Sequence, residues 1–284
     1  MKTVLVTGVS SGIGRGIATV LGRAGWHVYG SVRKAEDAAA FESALAGQGT
    51  ALVFDVTDEA GIAAAAARLT AELGDKGLDA LVNNAGISIN GPLELLPLSA
   101  IRQQFEVNLI SVVAVTQAFL PLLGAGTRPR KKPGKIINIS SIGGRRALPF
   151  AGPYCATKFA LEGLSDSWRR ELMVHGIDVI LIEPGAIKSE IWSKALNTDL
   201  DTYDATPYAT PVRRTIDAIR TIDKRALPAE DVGKVALLIL SSNHPKTRYI
   251  VQEGGPNSLR FQELLPDRLL DRLIAGRLGI KRRK

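Results

Sequence analysis

Residues 154–158 read Tyr-Cys-Ala-Thr-Lys. Four residues of helix turn through about 400°, so a helical Tyr154 and Lys158 leave one face, one turn apart. A phenol of ordinary pKa, about 10, exchanges protons poorly near neutrality. A neighbouring ammonium favours the phenolate and draws that pKa down. The pair therefore offers a proton donor and acceptor, if the rest of the chain calls for one. By itself the spacing fits a helix-surface pair equally well.

A second constellation lies near the start. "TGVSSGIG" (7–14) follows an apolar run and opens a helical pattern, with Gly8, Gly12 and Gly14 at the turn. Glycines there allow a tight turn and close approach to a pyrophosphate, whose charge then faces a helix N-terminus. The next apolar run ends at "VRK", with Arg33 and Lys34 and no acid before Glu36. NAD-selective sites place an acid at this point for the ribose 2′-hydroxyl, whereas a guanidinium grips a 2′-phosphate. The expectation is NADP(H) over NAD(H).

The elements that must position these residues are legible as alternation. Val-, Ile- and Leu-rich runs at 3–7, 27–32, 50–56, 78–84, 135–140, 178–184 and 248–251 are mostly continuous, as for strands buried on both faces. Helical patterns fill 12–25, 59–74, 98–123, 153–176 and 229–242. This predicts a single α/β domain of Rossmann type, a doubly wound, mainly parallel seven-stranded sheet with helices on both faces. Its expected extent is 1–258, with a substrate lid at about 186–228. Residues 259–284 form a basic extension in which Leu269, Leu270, Leu273 and Ile274 make an apolar stripe on a C-terminal amphipathic helix. Three readings of that helix stand open: packing on protein, a cover over the site, or peripheral membrane contact.

Composition narrows the function. The net charge is +8, but five Lys/Arg fall in 128–135 and four in 281–284. The remaining 27 basic and 28 acidic residues nearly balance, so no broad basic face is expected and nucleic acid is excluded as a partner. The lone Cys155 excludes an internal disulfide and suits a reducing, cytoplasmic setting; it is expected to be a packed, inert thiol. No secretory signal is expected, and the apolar segment 109–123, interrupted by polar residues and Pro121, is read as too short to span a membrane. His27, His175 and His244 have no metal-ligand spacing, so no metal site is expected.

Together these motifs resemble the short-chain dehydrogenase/reductase family over about 1–255. "TGVSSGIG" is similar to its cofactor loop, "DVT" (55–57) to its adenine-side acid, "NNAG" (83–86) to its motif after the fourth strand, and "EVNLI" (106–110) to its helical asparagine. Ser141 stands thirteen residues before Tyr154, the family's spacing for a catalytic serine, and "PGAIKS" (184–189) resembles the segment that closes over the nicotinamide, with Ser189 for threonine. The resemblance implies catalytic Asn108, Ser141, Tyr154 and Lys158, with Asn108 holding a water that links Lys158 to solvent. It implies cofactor contacts from Gly8, Ser10, Ser11, Gly12, Ile13, Gly14, Arg33, Asp55, Val56, Asn83, Ala85, Gly86, Tyr154, Lys158, Pro184, Gly185, Ile187 and Ser189. Substrate contacts are expected from Ser141, Gly143, Leu148, Phe150, Tyr154 and Trp192. The expected function is NADP(H)-dependent interconversion of a ketone or aldehyde and an alcohol on an apolar small molecule, by a homodimer or homotetramer. A non-catalytic nucleotide sensor of the same fold is the alternative.

Overall fold

The computed structural model describes residues 1–126, 130, 132–189, 200–254 and 265–281. The first unit runs from β1 (Thr3–Val6) through α1 (Gly12–Arg23), β2 (His27–Val32) and α2 (Ala35–Ala44) to β3 (Gly49–Val53), followed by α3 (Glu59–Leu73). The second has β4 (Ala80–Asn83), α4 (Leu98–Phe105), α5 (Ser111–Leu123), β5 (Lys135–Ile139), α6 (Gly152–Glu171) and β6 (Asp178–Pro184). α7 (Ala209–Asp223), α8 (Ala229–Ser241), β7 (Arg248–Val251) and α9 (Asp267–Leu278) complete the described chain.

The sheet has seven strands in the order β3-β2-β1-β4-β5-β6-β7, every pairing parallel. Alternation along each strand feeds two cores. Val4, Val6, Ala80, Val82, Ile137, Ile139, Ile180 and Ile182 pack with Ile17 and Leu21 of α1 and with Val232, Ala236 and Ile239 of α8. Leu5, Leu81, Ile136 and Val179 point the other way, into Ile62 and Leu69 of α3, Val115 and Phe119 of α5, and Leu161 and Trp168 of α6. Burying each such Leu, Ile or Val contributes about 1.5–3 kcal/mol, so a continuous apolar strand needs helices on both sides. Strand order reverses between β1 and β4, which leaves a crevice at their carboxyl ends, the usual place for a ligand in such sheets.

Two details fix the helices around that crevice. α1 meets α8 glycine to glycine: a Cβ on Gly233 would lie 2.7 Å from the Gly16 carbonyl oxygen, and one on Gly16 would lie 2.5 Å from the Ala229 carbonyl carbon. α4 and α5 are joined without a break by a π-helical turn, Glu106–Ile110. The continuous helix Leu98–Leu123 has 26 residues and holds an 18-residue stretch of mean hydropathy 1.6, so by length and composition it could cross a membrane. That corrects the reading of this segment as too short. Its Val112, Val115, Phe119, Leu122 and Leu123 are buried in the second core.

Candidate active site

The glycine turn is built by Thr7, Asn84 and Ser31 as much as by its glycines. Gly8 and Gly12 have φ of 71° and 56°, a region that side chains other than glycine adopt at a cost. A Cβ on Gly14 would lie 2.2 Å from the Gly8 carbonyl oxygen and 2.4 Å from Asn84 Nδ2. That amide donates to the Thr7 and Gly8 carbonyls (2.8 and 3.1 Å), and Thr7 Oγ1 accepts from the Asn84 and Ala85 amides (2.9 and 3.0 Å). Ser31 Oγ accepts from the Gly8 amide at 3.0 Å. The loop after β1 is thus laced to the loop after β4 across the crevice. Ser11 precedes α1 without capping it through its side chain, so the first amides of α1 remain for an anion. Ser10 is exposed, and Ser11 and Ile13 are half-buried beside it.

Asn83 departs from expectation. Its amide donates to Thr116 Oγ1 (2.9 Å) and Asn138 Oδ1 (2.8 Å), and Asn138 continues to Ser165 Oγ at 2.9 Å. The side chain is a strut in the buried interior, and Asn84 is the one that braces the cofactor loop. The motif "NNAG" could have named Asn84, but spacing does not say which asparagine turns which way.

Arg33 is exposed directly after β2, with no ion pair to another described residue. Asp55 is half-buried beyond β3, its Oδ1 accepting from the Thr57 amide and hydroxyl at 2.9 and 2.8 Å, while Val56 is buried beneath. The segment after β6 comes back over the glycine loop: a Cβ on Gly12 would lie 3.2 Å from Ser189 Cβ. Gly185 is fixed by its amide bond to the Val251 carbonyl (2.9 Å), and Ile187 is fully buried and bridged to Leu227. Open first amides, a cradle that a Cβ would fill and a guanidinium without an ion pair among the described residues at the second strand's end fit a dinucleotide.

The proton chemistry gathers at the ends of β5 and β6. Ser141 follows β5 and caps a short 3-10 turn, its Oγ accepting from the Gly143 amide at 3.0 Å and donating to the Pro184 carbonyl at 3.5 Å. Tyr154 shares a hydrogen bond with Ser141, which favours its anion, but burial of its hydroxyl outweighs this and raises its pKa. Lys158 Nζ donates to the Ile139 carbonyl at 2.8 Å and stands 5.8 Å from the Tyr154 ring centroid. Burial pulls Lys158 down to about 8, against the attraction of Glu162. The expectation that Lys158 depresses Tyr154 is therefore corrected: in this structure desolvation governs both groups, and Tyr154 moves upward.

Asn108 sits in the π turn, a common place for functional side chains. Its Nδ2 donates to the Ile87 carbonyl (2.9 Å) and Thr157 Oγ1 (3.1 Å), and its Oδ1 accepts from the Ile87 amide (2.8 Å). These contacts brace the strand-end segment of Ala85 and Gly86 against the residue before Lys158. They engage both the amide nitrogen and the carbonyl oxygen of the Asn108 side chain.

On the substrate side, a Cβ on Gly143 would lie 3.3 Å from Ser141 Oγ and 3.4 Å from Tyr154 Cε1, so glycine leaves the space before both hydroxyls open. Cys155 is buried, with its thiol pushed up by burial. Leu148 is exposed, and Phe150 holds a strained φ of 67° while its carbonyl accepts from the Gly91 amide at 2.7 Å. The Phe150 ring meets Tyr208 edge-on, 6.2 Å between centroids, and Tyr208 Oη donates to Glu94 Oε2 at 2.6 Å. A Cβ on Gly152 would lie 2.9 Å from Leu93 Cδ1. The segments carrying Leu93, Glu94 and Tyr208 therefore gather against Phe150 and Gly152, and no spacing signal in the sequence pointed to the first of them. Trp192, with the rest of 190–199 in the expected lid, lies outside the described residues.

Comparison with known proteins places this geometry. Residues 2–200 match the family model described as short chain dehydrogenase. An NADPH-dependent 3-dehydrocapnine reductase from Ornithobacterium rhinotracheale is 42% identical over 277 residues, covering 96% of each chain. A 3-ketodihydrosphingosine reductase from Bacteroides thetaiotaomicron is 33% identical, covering 87% of this chain and 86% of its own. A crystal structure of a short-chain dehydrogenase from Streptomyces avermitilis superposes with a TM-score of 0.76 at 28% identity, over 96% of this chain and 94% of that one. With its strand order, its laced glycine turn and its Ser141, Tyr154 and Lys158, the chain belongs to the short-chain dehydrogenase family and is an NAD(P)-dependent oxidoreductase of carbonyl and hydroxyl groups.

Proposed function

We propose that the chain is an NADPH-dependent reductase of a ketone carried on an apolar substrate, of the kind named by its reductase relatives of 3-dehydrocapnine and 3-ketodihydrosphingosine. The observation that carries this reading is the open space before Ser141 and Tyr154 at Gly143, continuous in sequence with the exposed Leu148 and the Phe150–Tyr208 wall. An apolar lining suits an acyl- or steroid-like body and leaves the two hydroxyls as the polar anchors.

When bound, the dinucleotide supplies a hydride to the carbonyl carbon. The chain's part begins with Ser141, whose hydroxyl donates to the carbonyl oxygen and holds it while charge develops. Tyr154 gives its phenolic proton to that oxygen, and its raised pKa keeps the proton in place until then. Lys158 stabilises the phenolate that is left, and Asn108 links Ile87, next to Gly86, to Thr157, the residue before Lys158. Gly8, Gly12, Gly14 and the first amides of α1 would hold the pyrophosphate, and Arg33 the 2′-phosphate. The site residues belong to one catalytic domain ending near 258, proposed to work as a cytoplasmic homo-oligomer.

The test is turnover of 3-ketodihydrosphingosine and of simpler long-chain ketones, followed by absorbance of the reduced cofactor with NADPH and NADH in parallel. The reading expects oxidation of NADPH with a long-chain ketone and little with NADH. Activity confined to small polar carbonyls, or equal use of NADH, contradicts it.

A further inference from the structure

One turn beyond Lys158 on α6 stands Glu162, 7% exposed, in a cluster of charges drawn from three other segments. Arg248 of β7 donates from Nε to Glu162 Oε2 at 2.9 Å and lies 3.1 Å from Asp166 Oδ2 through Nη2. The same Nε is 3.4 Å from Oε1 of Glu183, which is fully buried on β6. Arg145, four residues after Ser141, reaches Glu183 Oε1 at 3.3 Å. Arg169, farther along α6, is paired to Asp166 at 3.2 Å. A cavity of about 400 Å³ opens beside the group, bordered by Gly144, Phe159 and Gly163.

Each acid belongs to a segment that carries or touches a reacting group. Glu162 shares α6 with Tyr154 and Lys158. Glu183 precedes Pro184, whose carbonyl accepts the Ser141 hydroxyl. The turn between Ser141 and Arg145 lies on Lys158 itself, since a Cβ on Gly144 would fall 3.1 Å from the Lys158 carbonyl. Arg248 therefore ties the Tyr154–Lys158 helix to the strand that ends at the nicotinamide side.

We propose that Glu162, held in place by Arg248, is a positioning residue for Lys158: its carboxylate supplies the charge that keeps the buried ammonium protonated beside Tyr154. The assignment rests on the reading of Lys158 given above. Glu162 Oε1 is buried and accepts no hydrogen bond among the described residues. A carboxylate serving only as a structural tie would be costly to bury with one oxygen unpaired; here its field falls along the helix onto Lys158. Burial and the Glu162 carboxylate push Glu183 up, against Arg145 and Arg248. Glu162, one helical turn from Lys158, is the acid that attracts its ammonium.

The experiment titrates Lys158 without turnover, by acetic anhydride labelling across pH with the modified peptide read by mass spectrometry. In Glu162→Gln the labelling midpoint falls by about one pH unit, the size of an opposite charge lost nearby. Glu162→Asp, which withdraws the carboxylate by one methylene, lowers it by less, and Glu183→Gln leaves it in place. Where a ketone is turned over, the alkaline limb of kcat moves with the midpoint. An unchanged midpoint in folded Glu162→Gln, or an equal fall in Glu183→Gln, overturns the proposal. Failure of the wild-type protein to reduce any ketone removes the enzymatic reading and leaves the labelling result standing on its own.

Discussion

Tyr154 and Lys158 meet through helical geometry, but burial sets their charges. With Lys158 held at about 8, its ammonium is fully present below that pH and is lost as pH rises through it. Deprotonation removes the cation opposite a developing phenolate, so kcat is expected to fall with an alkaline limb near 8, seen in a profile from about pH 6 to 10. A flat profile to pH 10 would mean that the amine is not held down by its surroundings. The residue types and spacings of this set were legible in the sequence. Their electrostatic balance was not, because desolvation depends on what packs around the helix: Ile139 in front of the ammonium, and the Ser141 turn beneath it.

At the scale of elements, the glycine contact between α1 and α8 fixes the helix whose N-terminus is proposed to hold the pyrophosphate. Gly233→Ala sets a methyl 2.7 Å from the Gly16 carbonyl and 2.8 Å from Val20 Cγ2, both closer than a Cβ normally stands. The expected cost is about 1–3 kcal/mol, read as a lower Tm, with weaker NADPH binding as α1 shifts. Gly163→Ala on α6 is the control, since nothing lies within 4 Å of its Cβ position; it should be neutral or stabilising. Equal behaviour of the two variants would show that α1 is not located by this contact. The strands and most helices were readable from continuous apolar runs and 3.6-residue periodicity; α2 was not, nor was α7, which lies in the stretch expected to be a loop-like lid. The π turn at Asn108 was not, because it is held by tertiary bonds to Ile87 and Thr157 that no local pattern encodes. The Leu93–Glu94 wall escaped for the same reason: it acts only by meeting Gly152 and Tyr208 across the fold.

For the whole molecule, the C-terminal helix lies against α7, the helix proposed to border the substrate. Leu278 is buried, and a Cβ on Gly279 would lie 2.7 Å from Arg214 Nη1, so α9 packs on α7, the helix that follows Tyr203 and Tyr208. Leu269 and Leu273 stay exposed on α9. Deleting 265–284 should raise KM more than it lowers kcat, because α7 loses its support while Tyr154 and Lys158 do not. An unchanged KM would separate the tail from the mouth. The central claim is that the Tyr154 hydroxyl delivers the proton, and Tyr154→Phe tests it most directly when turnover and NADPH affinity are measured on the same sample. The account predicts a loss of kcat of about 10²–10⁴-fold with NADPH binding nearly unaltered; wild-type turnover in that variant would contradict it.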